Sequence, residues 1–229
     1  MVFCPRCGSE NPEDSLYCKE CKAFIGDSEE KKIMTGNVYP SIKSYPVAFS
    51  YSYIEHSSRA ELFIRIIYIF VLGIIIEAWG IVAGLAQLFQ FFYVLIYAKK
   101  HLGAFDFMAG FFRFYFNVTA YTYLLTDERP PITSEDIEYP CGISLSFDST
   151  SRRLELLVRI FYGFVLSLIA SLWGTVASLI VLIEWFYILF TTKKNFGLWE
   201  FSVRFINFYM RVNAYISILT DARPPLTGD

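Results

Sequence analysis

Two long apolar runs dominate the pattern of hydrophobic and polar positions, from Leu62 to Ala98 and from Leu156 to Thr192. As a single helix, each run would extend about 55 Å, nearly twice the hydrocarbon thickness of a bilayer. A Trp-Gly pair lies near the middle of each run. Because tryptophan favours membrane interfaces and glycine favours tight turns, we expect each run to form a transmembrane helical hairpin. The four expected spans cover residues of about 59–77, 79–98, 153–171 and 173–192.

A short alternating pattern precedes each apolar run. In VAFSYSY (47–53), aliphatic and aromatic residues alternate with alanine and serine, and CGISLSF (141–147) keeps two of the serines in register. Alternation with period two over seven residues predicts a half-buried β-strand at both places.

An amphipathic pattern follows each apolar run, over residues of about 103–125 and 197–219. Polar residues at helical spacing form one stripe, and aromatic residues cover the remaining surface. The stripes comprise Asp106, Gly110, Arg113 and Asn117 in the first segment and Glu200, Arg204, Asn207 and Arg211 in the second. Such a helix belongs in the headgroup region, parallel to the membrane surface. A third crossing is the alternative, although it would place arginines in lipid.

These segments recur in the same order because the chain contains an internal duplication. Residues 45–133 align with residues 139–227 without a gap, and nearly half of the aligned positions are identical. Such self-similarity predicts a repeat architecture. The expected fold is a mainly α membrane protein with two tandem repeats, each comprising a short strand, a transmembrane hairpin and an interfacial helix.

Composition agrees with a membrane protein, since 55% of the 229 residues are hydrophobic and the mean hydropathy is +0.41. The net charge of −2 argues against a basic surface for nucleic acid. Lysine and arginine flank both ends of each expected hairpin and are absent from the expected tips. The positive-inside rule therefore predicts a multi-pass protein of the cell membrane with both termini in the cytoplasm.

Four cysteines at the N-terminus form two CxxC pairs, Cys4 with Cys7 and Cys18 with Cys21. Four thiolates from two tight turns suit tetrahedral Zn²⁺. The segment around them resembles the short zinc-ribbon family, in which the metal is structural and these four positions are its ligands. We expect a zinc ribbon over residues 1–26 and a linker over 27–44; a redox-active CxxC pair is the alternative.

The duplicated part resembles the prokaryotic membrane family called domain of unknown function 4389. The resemblance rests on ILFTTKKNFGLWEF, on RVNAY (211–215) and on the LTDxRPP endings of both repeats. The chain departs from the family where Arg129 and Arg223 replace a usual tyrosine, and it lacks the Pro-His pair common in the first span. The family has no assigned activity, so the resemblance implies membrane topology and no site residues.

One acidic residue interrupts the apolar pattern near the centre of an expected span. Glu184 would lie near the middle of the bilayer, where an ionised carboxylate must be protonated, paired or hydrated. Its equivalent in the first repeat is Gln90. We expect a hydrogen bond between Gln90 and Glu184; a proton or ion pathway is the alternative.

Basic residues at the expected membrane surface are candidates for binding lipid headgroups, and a general role in anchoring topology is the alternative. They are Arg65, Arg159, Lys99, Lys100, Lys193 and Lys194.

No nucleophile–base arrangement or phosphate-binding glycine loop accompanies these features, so we expect no enzyme. The sequence favours a scaffold or adaptor that presents the zinc ribbon to a protein partner. The alternative is an oligomeric transporter or channel component that uses Glu184 and Gln90. Nucleic acid is an unlikely partner, because acidic residues balance the basic ones around the cysteines.

Overall fold

The computed structural model describes residues 2–3, 10–11, 45–131 and 139–225. The chain divides into two compact units, Met1–Val38 and Tyr39–Asp229. In the first unit, strand β1 (Val2–Phe3) pairs antiparallel with strand β2 (Glu10–Asn11). The predicted zinc ligands and the predicted linker lie outside the described residues.

The second unit contains the same three elements twice, in the order strand, long helix and short helix. The first set is β3 (Val47–Tyr51), α1 (Arg59–Tyr97) and α2 (Leu102–Thr122); the second is β4 (Cys141–Leu145), α3 (Arg153–Thr191) and α4 (Phe196–Ile216). Both strands lie within the two alternating segments of the sequence.

The prediction of two hairpins is wrong, because α1 and α3 are each continuous over 39 residues. Each is about 58 Å long. Neither helix contains proline, and the cost of a helical glycine is only about 1 kcal/mol. The glycines lie in the contact with the short helices: a Cβ on Gly80 would lie 3.6 Å from the ring of Phe111, and one on Gly174 would lie 3.4 Å from the ring of Phe205. Both are ordinary van der Waals distances.

The two long helices run antiparallel and contact each other near both ends. At one end, the rings of Phe63 and Trp185 lie 5.8 Å apart. At the other end, Arg153 Nη2 donates a hydrogen bond to the carbonyl of Ile96 at 2.6 Å. The start of each long helix therefore lies beside the end of the other.

The strands relate the two repeats by an approximate two-fold axis. β3 and β4 pair antiparallel, and Phe49 lies opposite Ile143, its equivalent in the second repeat. Helix α2 packs on α1 and β4, whereas α4 packs on α3 and β3. Each short helix thus contacts a long helix of its own repeat and the strand of the other repeat.

The main hydrophobic core lies where the short helices meet the strands. Phe105, Phe112 and Phe116 of α2 and Trp199 and Phe205 of α4 are at most 4% exposed. The prediction of surface-lying interfacial helices is wrong for this reason: the protein itself covers most of their aromatic side chains.

The predicted polar stripe of α4 is also partly internal. The Tyr51 hydroxyl donates to Asn207 Oδ1 at 2.8 Å, and the Arg211 guanidinium lies over the rings of Tyr45 and Phe49. By contrast, Glu200 and Arg204 form an exposed pair one helical turn apart.

Both long helices expose wide apolar surfaces and are long and apolar enough to cross a membrane. Ile67 and Phe70 of α1 and Phe161 and Phe190 of α3 are each more than 70% exposed. Soluble proteins rarely expose contiguous apolar patches above a few hundred Å². Such a surface is typical of contact with lipid or with another apolar partner.

Candidate functional site

Two clusters of buried charged residues tie the repeats together. In the first, Asp127 Oδ1 lies 3.0 Å from Arg65 Nη2 and 3.2 Å from Lys194 Nζ. Both cationic residues are 3% exposed. The arginine belongs to the same repeat as the aspartate, whereas the lysine comes from the other repeat. We call Arg65, Asp127, Lys194 and the neighbouring Glu184 the first charge cluster.

The second charge cluster repeats this arrangement around Asp221. Its Oδ1 lies 2.8 Å from Arg159 Nη2 and 3.3 Å from Lys100 Nζ. Here the lysine comes from the first repeat. Gln90, the equivalent of Glu184, completes the second cluster. Each repeat therefore supplies a lysine to the other, and separating the repeats would leave both lysines without these carboxylates.

Asp127 also fixes the start of α1. It accepts hydrogen bonds from Ser57 Oγ at 2.7 Å and from the backbone N–H of Ser58 at 3.1 Å. Burial alone would raise the pKa of the Asp127 carboxyl, but its two cations and the Ser57 hydroxyl outweigh burial, so this pKa lies below its ordinary value of 3.8. Burial lowers the pKa of Lys194, and Asp127 opposes that shift. Asp127 is therefore a carboxylate near neutral pH.

The arginine of each TDxRPP ending attaches that ending to the long helix of its own repeat. Arg129 Nη2 lies 3.1 Å from Glu61 Oε2, and its guanidinium lies over the ring of Tyr68. Arg223 pairs with Glu155 in the second repeat. The endings are recognisable in the sequence, but these ion pairs were not predicted from it. The only local signal was the recurrence of the same acid and arginine in both repeats.

The six predicted headgroup-binding residues divide into two groups. Arg65, Lys100 and Lys194 are buried in the charge clusters, with their charged groups directed at Asp127 or Asp221. Arg159 is buried there too, and it is one of the residues that line a groove described below.

The remaining two residues, Lys99 and Lys193, are exposed immediately after the long helices. Lys193 Nζ lies 2.9 Å from Glu55 Oε1 in an exposed ion pair.

The predicted hydrogen bond between Gln90 and Glu184 is absent. Gln90 Oε1 accepts from the backbone N–H of His101 at 3.1 Å, and neither oxygen of Glu184 has a hydrogen-bond partner among the described residues. The antiparallel arrangement explains this result. Each residue lies seven positions before the end of its long helix, so the two lie toward opposite ends of the helix pair.

Glu184 instead belongs to the first charge cluster. Its side chain is completely buried, and the charges that act on it are those of Lys194, Arg65 and Asp127. The first cluster thus contains two cations and two acidic residues. The second contains Gln90 in place of an acid, and so has two cations and one carboxylate.

The described residues contain no group of three or more histidine, cysteine, aspartate or glutamate side chains that could hold a metal ion. The expected zinc ligands, Cys4, Cys7, Cys18 and Cys21, lie outside this part of the chain. Strands β1 and β2 flank the first CxxC pair in sequence, and Phe3 pairs with Glu10.

Comparison with known proteins identifies the duplicated unit. The family model described as domain of unknown function DUF4389 matches residues 59–134 and 153–227. No curated protein and no solved structure is significantly similar to the chain. The two matches include the long helix, the short helix and the TDxRPP ending of each repeat, and together they cover more than half of the sequence. The chain therefore belongs to the DUF4389 family, with two copies of its domain in tandem.

Proposed function

We propose that this protein is a membrane-bound scaffold without catalytic activity. Its two repeats anchor it in the bilayer, and its N-terminal segment binds structural Zn²⁺ and recruits a protein partner in the cytoplasm. The observation that carries the proposal is the wide apolar surface of α1 and α3. The cations of the two charge clusters, by contrast, pair with Asp127 or Asp221, which suits a structural role.

The arrangement of basic residues favours long helices that lie in the plane of the membrane. Arg59 and Lys193 flank one end of the helix pair, and Lys99 and Arg153 flank the other. If both helices crossed the bilayer, one basic end would lie outside the cell, against the positive-inside rule. A length of about 58 Å also greatly exceeds the hydrocarbon thickness of about 30 Å.

We therefore place the exposed faces of α1 and α3 in the cytoplasmic leaflet. The four-crossing arrangement depended on the hairpins and is replaced by this one. Both termini remain in the cytoplasm, and the two-fold axis that relates β3 and β4 runs along the membrane normal. In the competing arrangement, α1 and α3 would each cross the bilayer once.

The reducing cytoplasm would keep the N-terminal cysteines available as thiolate ligands for zinc. The pairing of β1 with β2 brings Phe3 next to Glu10, the residues on either side of the segment that contains Cys4 and Cys7. A zinc-bound segment on a membrane anchor is a suitable module for recruiting a protein to the membrane. An unknown protein is thus the proposed partner, beside the bilayer itself.

Removal of residues 1–26 tests this proposal. We expect the deletion to abolish partner recovery in a crosslinking pull-down, while the truncated chain still sediments with membranes. Substitution of Cys4, Cys7, Cys18 and Cys21 by serine should have the same effect, with loss of about one bound zinc per chain, as expected for four ligands around one ion. Unchanged recovery with either variant would contradict recruitment through the zinc segment.

Ion transport by an oligomer is the second candidate, because Glu184 is a completely buried acid without a hydrogen-bond partner among the described residues. Acids in membrane regions frequently mark ion pathways. This candidate predicts ion flux in liposomes that Glu184→Gln eliminates. A wild-type protein without flux, or flux that Glu184→Gln leaves unchanged, would exclude this role for Glu184.

A further inference from the structure

A groove of about 580 Å³ lies between the second half of α1 and the first half of α3. Leu88, Phe164 and Ile160 form part of its walls, and Arg159 is its one charged lining residue. Gly84 faces open space, since no neighbouring atom lies within 4 Å of the position that its Cβ would take. The groove is therefore apolar along its length and cationic at one place.

The two-fold axis relates this groove to the surface between the first half of α1 and the second half of α3. There the equivalents of Gly84, Gly163 and Phe91 are larger: Ser178, Ile69 and Trp185. The ring of Trp185 packs against that of Phe63. These three differences narrow the related place beside Arg65, although Gly73 and Thr122 there are smaller than their equivalents Ser167 and Ile216.

Arg159 has unused hydrogen-bond donors. It is 6% exposed, and its Nη2 donates to the carbonyl of Thr220 at 3.1 Å and to Asp221 Oδ1 at 2.8 Å. Its Nε and Nη1 have no partner among the described residues. In the first repeat, by contrast, Arg65 Nη1 donates to the carbonyl of Tyr121 at 2.6 Å. A buried N–H group without an acceptor is unfavourable, so a ligand that offers Nη1 a hydrogen-bond acceptor would be stabilised there.

The second charge cluster holds two cations and one carboxylate. Arg159 and Lys100 share Asp221, and Gln90 is neutral. Asp148 lies near Lys100, but it is exposed and its Oδ1 accepts from the backbone and hydroxyl of Thr150. An anion at Arg159 would supply both a second negative charge and an acceptor for its unpartnered N–H groups.

We propose that this groove binds an anionic phospholipid. The lipid phosphate lies at Arg159 and accepts a hydrogen bond from its unpartnered Nη1, which a small movement of the side chain brings to the groove, and an acyl chain lies along the apolar wall past Gly84. The positive charge of Arg159 favours an anionic headgroup. The length and apolar lining of the groove favour an acyl chain. The inference rests on the membrane residence proposed above and adds a specific lipid to it.

Retention of phosphatidylglycerol by the full-length protein tests the site. The protein would be assembled in nanodiscs of phosphatidylcholine doped with phosphatidylglycerol of the same acyl chains, and bound lipid would be counted by native mass spectrometry. We expect about one retained phosphatidylglycerol per chain, as predicted for one groove of this size. Equal retention of both lipids would overturn the proposal.

Three variants locate the bound lipid. Gly84→Leu fills the groove, and Gln90→Glu places an acidic group in the second charge cluster with little change in shape; each should weaken phosphatidylglycerol retention at least tenfold. Gly73→Leu is the matched control, because Gly73 is a helical glycine of α1 with equally open surroundings. It should retain the lipid like the wild type. Loss of retention in all three variants, or in none, would contradict this location.

Two further measurements separate the possible sources of failure. If inorganic phosphate displaces phosphatidylglycerol as effectively as a second phospholipid does, the site binds a free anion and the lipid proposal fails. The same lipid titration in detergent micelles examines the groove without a bilayer. Failure to enter nanodiscs, with selective binding preserved in micelles, would contradict membrane anchoring and leave the lipid site supported.

Discussion

Asp221→Asn is expected to lower the free energy of unfolding by about 3–5 kcal/mol, the usual cost of removing one partner from a buried ion pair. The substitution leaves Arg159 and Lys100 close together in the interior with no carboxylate in their cluster. It also removes the acceptor that holds Ser151, whose Oγ donates to Asp221 Oδ2 at 2.8 Å. The loss should be visible in unfolding of the purified protein in mild detergent by denaturant.

Asp127→Asn should cost less, although Asp127 makes nearly the same contacts. After that substitution, Arg65 and Lys194 still have the buried acid Glu184 beside them. Burial raises the pKa of Glu184 to about 8, and the charge of Asp127 contributes to this shift. Removing that charge lowers the pKa of Glu184, so Glu184 can ionise and supply a negative charge to the two cations. The difference between the two variants measures the effect of the Glu184 and Gln90 asymmetry on stability.

The exposed Asp106 of α2 provides the control. Asp106→Asn should change the free energy of unfolding by less than about 0.5 kcal/mol, as is usual for surface substitutions. If Asp221→Asn is no more destabilising than this control, the second charge cluster does not hold the repeats together. If Asp127→Asn costs more than Asp221→Asn, the proposed charge balance is incorrect.

The sequence was informative about the elements within one repeat. Alternation at residues 47–53 and 141–147 indicated the strands, and the amphipathic segments corresponded to α2 and α4 within a few residues. These signals are local, because each depends on the spacing of side chains along one element. The duplication then extended each assignment to the second repeat.

The long helices show where local signals fail. The Trp-Gly pairs suggested turns, since tryptophan and glycine are both common at helix ends near a membrane surface. Here, however, Trp79 packs on Phe114 and Trp173 packs on Phe208, with ring centroids 5.3 and 5.1 Å apart. The tryptophans therefore pack a continuous long helix onto the short helix of the same repeat. Whether a Trp-Gly pair forms a turn or lies within a helix depends on the residues that pack against it.

The charge clusters could not be predicted from spacing along the chain. Asp127 meets Lys194, and Asp221 meets Lys100, only because the repeats exchange contacts across the two-fold axis. The sequence did identify Gln90 and Glu184 as a difference between the repeats. Its physical meaning, an acid beside the cations of the first cluster and a neutral amide in the second, required the positions of the clustered arginines and lysines.

Membrane sidedness of Lys99 and Lys193 tests the central claim, that both long helices lie in the cytoplasmic leaflet. These exposed residues are equivalent in the two repeats and follow the C-terminal ends of the antiparallel helices, so they mark opposite ends of the pair. Lys99→Cys and Lys193→Cys would be treated separately with a membrane-impermeant maleimide, with the wild-type protein as background.

We predict that neither variant reacts in intact cells and that both react above the wild-type background after the membrane is permeabilised. Two crossing helices would place residues 99 and 193 on opposite sides of the membrane. Reaction of one variant but not the other in intact cells would therefore contradict the in-plane arrangement, and reaction of both would contradict the cytoplasmic location.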